Sequence, residues 1–493
     1  MSFDIFFFFY IIKLRCVAYC VIPIGELHVF CFLEGKMSLK DEKMATVPVG
    51  RLILSMGIPM IISMVLQAVY NIVDSAFVSN MPMYGEDGLN ALTLAFPLQI
   101  LMVAVGIGTG VGANVLIAKS LGKKDSELTS KTAGNSILLG LAIYVIFLIF
   151  GLFGSEIYIS SQTDNEIISV MGTEYLRICC IFSFGMSMFA IFEKMLQATG
   201  HSLCSTIAQI LGAVTNIVLD PILIYGWLGC PEMGVKGAAY ATVIGQAVSF
   251  FTALIFHLKF NKSIHIRPVH FKPSLRIIGM IYSIGLPAII SQALISVMTY
   301  GMNLILKDVS ENMVTAYGLY YKIQQFLLFA AFGMRDAITP ITAFNYGMGD
   351  RKRIKACVKF GHLFTSLIML VGCAVLEIFA VPFSEVFGLS GETQILCVSA
   401  IHIISIGLVF AGINIAFQGV FQAVGSGLGS LIISICRQLL FVFPLVFAQI
   451  AINNPQLNWL MWSVFPIAEI LTAAAAIIIW RIISVKRNLN FDG

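Results

Sequence analysis

"SMGIPMIIS" runs from Ser55 to Ser63, and a near copy, "SIGLPAIIS", runs from Ser283 to Ser291, an offset of 228 residues. Two further anchors follow in the same order. Gly122 in "AKSLGKKD" matches Gly349 in "NYGMGDRK" at offset 227, and "LQATG" (Leu196–Gly200) matches "FQAVG" (Phe421–Gly425) at offset 225. The chain is therefore two copies of one unit. Each copy is built from long apolar runs separated by short polar loops, twelve runs in all: 52–79, 89–117, 133–155, 171–194, 203–227, 235–258, 279–306, 315–343, 361–385, 397–421, 429–451 and 458–484. Crossing a bilayer takes about 20 mostly apolar residues as a helix, because lipid offers the backbone no other partner. The expected fold is all-α and integral to the membrane, with twelve transmembrane helices in two six-helix lobes. An even number of spans per copy makes the repeats parallel, the arrangement in which two lobes flank a central cavity.

Composition agrees. Of 493 residues 58% are hydrophobic and 11% charged, against roughly a quarter charged in a soluble domain. A net charge of +4 gives no reason to expect nucleic acid. The eleven cysteines lie mostly inside apolar runs, with Cys230 in an external loop, so no disulfide framework is implied. Cys and His show no metal-ligand spacing.

Basic residues alternate between loops. "KSLGKKDSELTSK", "HLKFNKSIHIRPVHFKPSLR", "GDRKRIKACVK" and "RIISVKR" follow spans two, six, eight and twelve. "MYGEDGLN", "SSQTDNEIIS", "KDVSENM", "SGETQ" and "NNPQLN" lie between them. The positive-inside rule puts the basic loops and both termini in the cytoplasm. The domain reading is a leader at 1–43, an N-terminal lobe at 44–256, a basic cytoplasmic linker at 257–276, a C-terminal lobe at 277–485 and a cytoplasmic tail at 486–493. "IFFFFYII" in the leader is too short to span and is interrupted by Lys13, Arg15 and Glu26, so translation is expected to start at Met37 or Met44.

A charge at the bilayer centre costs about 2.5–3.5 kcal/mol on insertion scales, so one that persists faces a cavity or a partner. Span one carries Ser63, Gln67, Asn71 and Asp74 at steps of 4, 4 and 3, one helical face. Span five carries Gln209, Asn216 and Asp220 at steps of 7 and 4, with Pro221 next. Both acids lie near the outer ends of their spans, at similar depth and in the same repeat. They are expected to share one site. Two close carboxylates in low dielectric disfavour double ionisation, so the pair takes up a proton or a cation. Their oxygens, with the Asn216 amide oxygen and carbonyls freed by Pro221, are the hard donors that Na⁺ would use. A cap or a local hydrogen bond for each aspartate is the plainer alternative.

The second repeat has neutral stripes instead: Gln292, Ser296, Thr299 and Asn303 in span seven, and Asn414, Gln418 and Gln422 in span ten. These line a cavity or hydrogen-bond between helices. Arg437 and Glu469 are expected to form a buried structural pair, and Arg335 with Asp336 a gate or anchor. Glu193 and Lys194 read as interfacial. Lys322 and Glu377 have no assignment, a counter-charge in the second half being one option for Lys322.

The motifs "IPMIISMVLQAVYNIVDSAFVS", "LQATG", "NIVLDPILIYG", "GVKGAAYATVIGQ" and "FGMRDAITPITAFNYGMGD" together resemble the multidrug and toxic compound extrusion (MATE) family, in its MepA-like bacterial branch. The resemblance runs from about Lys43 to Val485. It implies a non-enzymatic, multi-pass efflux antiporter of the bacterial inner membrane. Such a protein exchanges amphipathic, mainly cationic drugs for H⁺ or Na⁺, needs no cofactor and works as a monomer in lipid. It also implies that Asp74 and Asp220 are coupling residues, with Asn216, Thr242 and Asn71 around them and Na⁺, where used, at Asp74, Asn216, Asp220 and Thr242. Gln67, Tyr70, Phe96, Gln292 and Met298 are candidates for the substrate cavity. Acids that some members carry in spans seven and ten are missing, which places coupling in the N-terminal lobe. Two rivals differ in class. A lipid-linked oligosaccharide flippase would favour an arginine-rich cavity, and an intramembrane enzyme would use the aspartates as acid and base.

Overall fold

The structure, a computed structural model, describes residues 43–386, 390–451 and 460–489. The leader reading falls almost wholly outside them. Two compact units are present, Met1–Val47 and Pro48–Gly493. Of the first, the described part is the one-turn helix Lys43–Thr46 with Val47.

The second unit is helical throughout its described residues. Ten helices are long and apolar enough to cross a membrane, and two bent pairs complete twelve spans. In the first lobe these are Val49–Ser79, Gly85–Gly122, Ser126–Phe153, the pair Glu166–Ile181 and Phe184–Ala198, Ser202–Ile224, and Val235–Phe260. The second lobe has Leu275–Val309, Glu311–Met348, Arg351–Val386, the pair Gly391–Ser405 and Leu408–Ala423, the segment Gly427–Ala451, and Val464–Lys486. They are numbered spans one to twelve below.

Spans four and ten each appear as one continuous apolar run in the sequence, but the structure bends them by 48° and 51°. The breaks at Phe182 and Ile406 are related by 224 residues, so the repeat extends to its kinks. Apolar periodicity does not report a bend, since both halves bury the same kind of surface. Span eleven is interrupted by a π-turn at Cys436–Leu440, a distortion often found at functional positions. Span five runs through Pro221 and stops at Ile224, not at residue 227, before Gly226 turns the chain with φ +71°. Asp220 is thus four residues from the end of its helix and Asp74 five from the end of span one, about 6 and 8 Å deep.

The lobes meet through spans one and two of the first copy and seven and eight of the second, paired crosswise. Contact is closest at the end that carries the basic loops, and glycine makes it possible. A methyl at Gly122 would lie 2.0 Å from the Phe344 carbonyl oxygen, and one at Gly112 would lie 2.1 Å from that of Ile281. Toward the other end the lobes separate. There Asn71, Ile72 and Lys322 are exposed, and a methyl at Gly318 would meet nothing within 4 Å. The result is a cleft closed at the basic end and open at the opposite one.

Candidate functional site

Asp74 and Asp220 come together although 146 residues separate them. Spans one and five pack side by side, and their polar stripes face each other. Asp220 is fully buried and Asp74 is 9% exposed. Their carboxyl groups are within hydrogen-bonding reach of each other, so two full charges side by side would repel and a shared proton or cation relieves the repulsion. The Asn216 side-chain amide, one turn before Asp220, donates to Asp220 Oδ1 at 3.3 Å and to Thr242 Oγ1 of span six at 3.5 Å. Three buried oxygens of this cluster, Asp74 Oδ1, Asp220 Oδ2 and Asn216 Oδ1, accept no hydrogen bond from the protein. Buried acceptors without donors are costly, and a bound proton or small hard cation would satisfy them. Above the cluster, the Tyr225 hydroxyl donates to the Phe77 carbonyl at 2.6 Å and ties spans five and one together.

Below the acid pair lies a chamber inside the first lobe. Gln67, Tyr70, Met186, Phe189, Glu193, Gln209, Asn216, Thr242 and Gln246 are among its lining. The aspartates themselves stand behind this wall, and Asn216 belongs to both chamber and cluster. Of the proposed cavity residues, Gln67 and Tyr70 line this chamber. Gln292 lines a second one, between span two of the first lobe and the second lobe, with Gln418, Gln422, Arg335 and Arg437 facing Ile107 and Gly108. Phe96 is 51% exposed on span two and belongs to neither lining, and Met298 packs against the apolar core of the second lobe. Asn71, one turn below Asp74, is exposed, and the amide that donates to Asp220 is that of Asn216 instead.

Glu193 and Lys194 are not interfacial. They are 9% and 1% exposed, and Lys194 Nζ is 2.6 Å from Asp336 Oδ2 of span eight, an ion pair between the two lobes. Lys194 also donates to Gln197 Oε1 at 2.9 Å, and Gln197 donates to Glu193 Oε1 at 2.9 Å. Arg335 holds the other Asp336 oxygen through two contacts of 3.0 and 3.1 Å. The anchor expected of Arg335 and Asp336 thus grips a lysine of the opposite lobe. Their sequence neighbourhood reads as a helix end because a loop follows soon after, whereas the burying surface comes from spans 140 residues away. The one legible signal was the pair of opposite charges inside "FEKMLQ".

Arg437 and Glu469 form a bidentate pair, with Arg437 Nη2 at 2.6 Å and Nε at 2.9 Å, and Asn414 adds a hydrogen bond of 2.7 Å to Glu469 Oε2. Glu377 of span nine accepts from Ser405 and pairs with His402, both in the first half of broken span ten.

Two repeated lobes around a cleft, with one polar chamber inside the first lobe and another where the lobes meet, have the build of a membrane transporter. The MatE family model matches residues 59–222 and 287–448, more than half of the chain, and the chain belongs to that family. The multidrug export protein MepA of Staphylococcus aureus (strain NCTC 8325 / PS 47) is 27% identical over 457 residues, 90% of this chain and 96% of that one. MepA of Staphylococcus haemolyticus (strain JCSC1435) is 26% identical over 462 residues, 92% and 98% of the two chains. An outward-facing multidrug resistance MATE family transporter of the MOP superfamily superposes with a TM-score of 0.84 at 26% identity, over 92% of this chain and 99% of that one. A MOP superfamily transporter from Pyrococcus furiosus gives 0.82 at 27%, over 91% and 99%.

Proposed function

We propose that the chain is an efflux antiporter of a bacterial cytoplasmic membrane, exporting amphipathic, mainly cationic compounds in exchange for H⁺ or Na⁺. The basic loops and both termini face the cytoplasm, and the cleft opens outside. Each chain holds a complete site and works as a monomer in lipid. The observation that carries this reading is the set of three donor-less oxygens on Asp74, Asp220 and Asn216 directly behind the chamber wall.

The cycle follows from charge. Facing outside, the acid pair takes up a proton or Na⁺ with Thr242 and Asn216 completing the shell. Neutralising the pair weakens the attraction that holds a cationic cargo in the chamber, and the Asn216 amide, shared between Asp220 and the wall, passes the change on. The cargo leaves outward, the loaded carrier turns inward, and ion release restores cargo affinity. One charge moving through 100 mV supplies about 2.3 kcal/mol. The arginines of the second chamber already pair with Asp336 and Glu469, which does not favour the flippase alternative.

Inside-out vesicles test the proposal. A cationic dye should accumulate when the lumen is acid or Na⁺-loaded, with the effective ion identified by imposing each gradient alone. Uptake indifferent to both gradients would dismiss antiport.

Glu193 supplies the carboxylate among the residues lining the chamber. A charge-assisted hydrogen bond contributes about 1.5–3 kcal/mol, so Glu193→Gln should raise KM for a cationic dye by roughly tenfold or more. The glutamine amide can still accept from Gln197, and transport of an uncharged substrate should be unchanged. Equal effects on both substrates would make Glu193 a structural residue.

A further inference from the structure

Lys322 is a charged group within the spans that the proposed cycle leaves unused. It stands eleven residues from the outer end of span eight, about 16 Å deep, and its side chain is exposed. Among the described residues it makes no hydrogen bond or ion pair. At this height Met313, Ala316, Tyr317 and Tyr320 turn into the apolar core of the second lobe. Lys322 is on the opposite side of the helix, in line with Gly318 and its open space.

Helical phase shows what that side faces. Gly333 lies eleven residues further along span eight, about three turns, and so on the same face as Lys322. A methyl at Gly333 would be 2.7 Å from Ile61 of span one and 2.9 Å from the Met60 carbonyl carbon. On span one, the residues eleven beyond Met60 and Ile61 are Asn71 and Ile72, both exposed. The two helices run in opposite directions. Continuing their contact three turns outward therefore sets Lys322 opposite Asn71 and Ile72, one turn below Asp74.

We propose that Lys322 is the second lobe's half of an outer gate: when spans one and eight close along their outer halves, its ammonium docks at Asn71 against the Asp74–Asp220 pair. The docking partner rests on the acid-pair reading above; the closure itself does not. In the open cleft water solvates the ammonium. In the closed state a cation carried by the protein stands beside two carboxylates and favours their ionised forms, which expels the coupling ion toward the cytoplasm. Lysine suits the task, being a compact charge on a flexible four-carbon stem. The second repeat, whose spans seven and ten carry acids only at their ends, Asp308 and Glu392, then contributes a counter-charge to the acid site of the first.

Two measurements on the full chain in proteoliposomes test this. The pair Asn71→Cys with Lys322→Cys should form a disulfide during turnover, since bridging needs Cα atoms within about 7 Å. Identified by peptide mass spectrometry, it should form at least about tenfold faster than the pair Asn71→Cys with Thr315→Cys, two turns higher. Equal rates, or no bridge, overturn the closure. Separately, Lys322→Gln should slow ion-driven export about tenfold while dye binding at equilibrium stays as in the parent and Lys322→Arg retains most activity. Export by Lys322→Gln at the parent rate overturns the role of the charge. A fast disulfide together with full activity of Asp74→Asn would leave the gate in place and defeat the acid-pair reading instead.

Discussion

Asp74→Asn and Asp220→Asn, made singly, each abolish gradient-driven dye export, a loss of about a hundredfold or more, without loss of folded protein in the membrane. Asparagine keeps the size and one acceptor oxygen but can neither bind a proton nor present a charge to Na⁺. Exchange then has no ion to bind, and the free energy of the gradient is no longer delivered. The effect on stability runs the other way. Both side chains are buried and within reach of each other, so removing one potential charge relieves repulsion and leaves one fewer ionisable group to desolvate. Thermal unfolding in detergent should be unchanged or slightly raised in both variants. Drug binding without a gradient should persist, which separates lost coupling from lost chamber. Export at the parent rate in both single variants would reject the pair as the coupling site.

The second large effect is expected at the inner latch. Lys194 and Asp336 are 2% and 5% exposed in their side chains and join opposite lobes at 2.6 Å. Removing one partner of such a pair costs about 3–5 kcal/mol, because the survivor stays buried without compensation. Lys194→Met should therefore lower the abundance of folded protein markedly. Lys194→Met with Asp336→Leu removes both charges and should recover much of it, since replacing a buried pair by apolar groups is often neutral. The double variant should still be a poor transporter. It lacks an ion pair that favours closure at the basic end, and about 1.4 kcal/mol shifts a two-state balance tenfold. A cysteine at Phe344, 6% exposed and with its carbonyl packed against Gly122 of the opposite lobe, should then react with a thiol reagent from the cytoplasmic side roughly tenfold faster. A protected cysteine together with normal export would show that the pair is a passive brace.

What could be read in the chain differed in kind from residue to residue. The repeat anchors at Ser55, Gly122 and Leu196 revealed the twofold architecture because both copies must bury the same helix faces. Asp74 and Asp220 stood out because carboxylates are rare in apolar helices, and their stripes and depth are set by local helical geometry. The bends at Phe182 and Ile406 left no mark, since each half of a broken span is as apolar as an intact one. Glu193 and Lys194 were misplaced for a related reason. Exposure near a helix end is decided by neighbouring spans, not by distance along the chain from the loop.

By itself, then, the order of amino acids determined that this protein is a twofold bundle of twelve membrane helices with two acids on one lobe's polar stripes. Those properties follow from hydropathy and from the 3.6-residue period, both local. Tertiary structure decided which oxygens lack donors, that Lys194 crosses to Asp336, that Phe96 stays outside the chambers and that Lys322 looks across an open cleft. Each of these depends on how spans far apart in sequence approach one another, and that approach is set by packing at glycines such as Gly112 and Gly122, where a single methyl would keep the lobes apart.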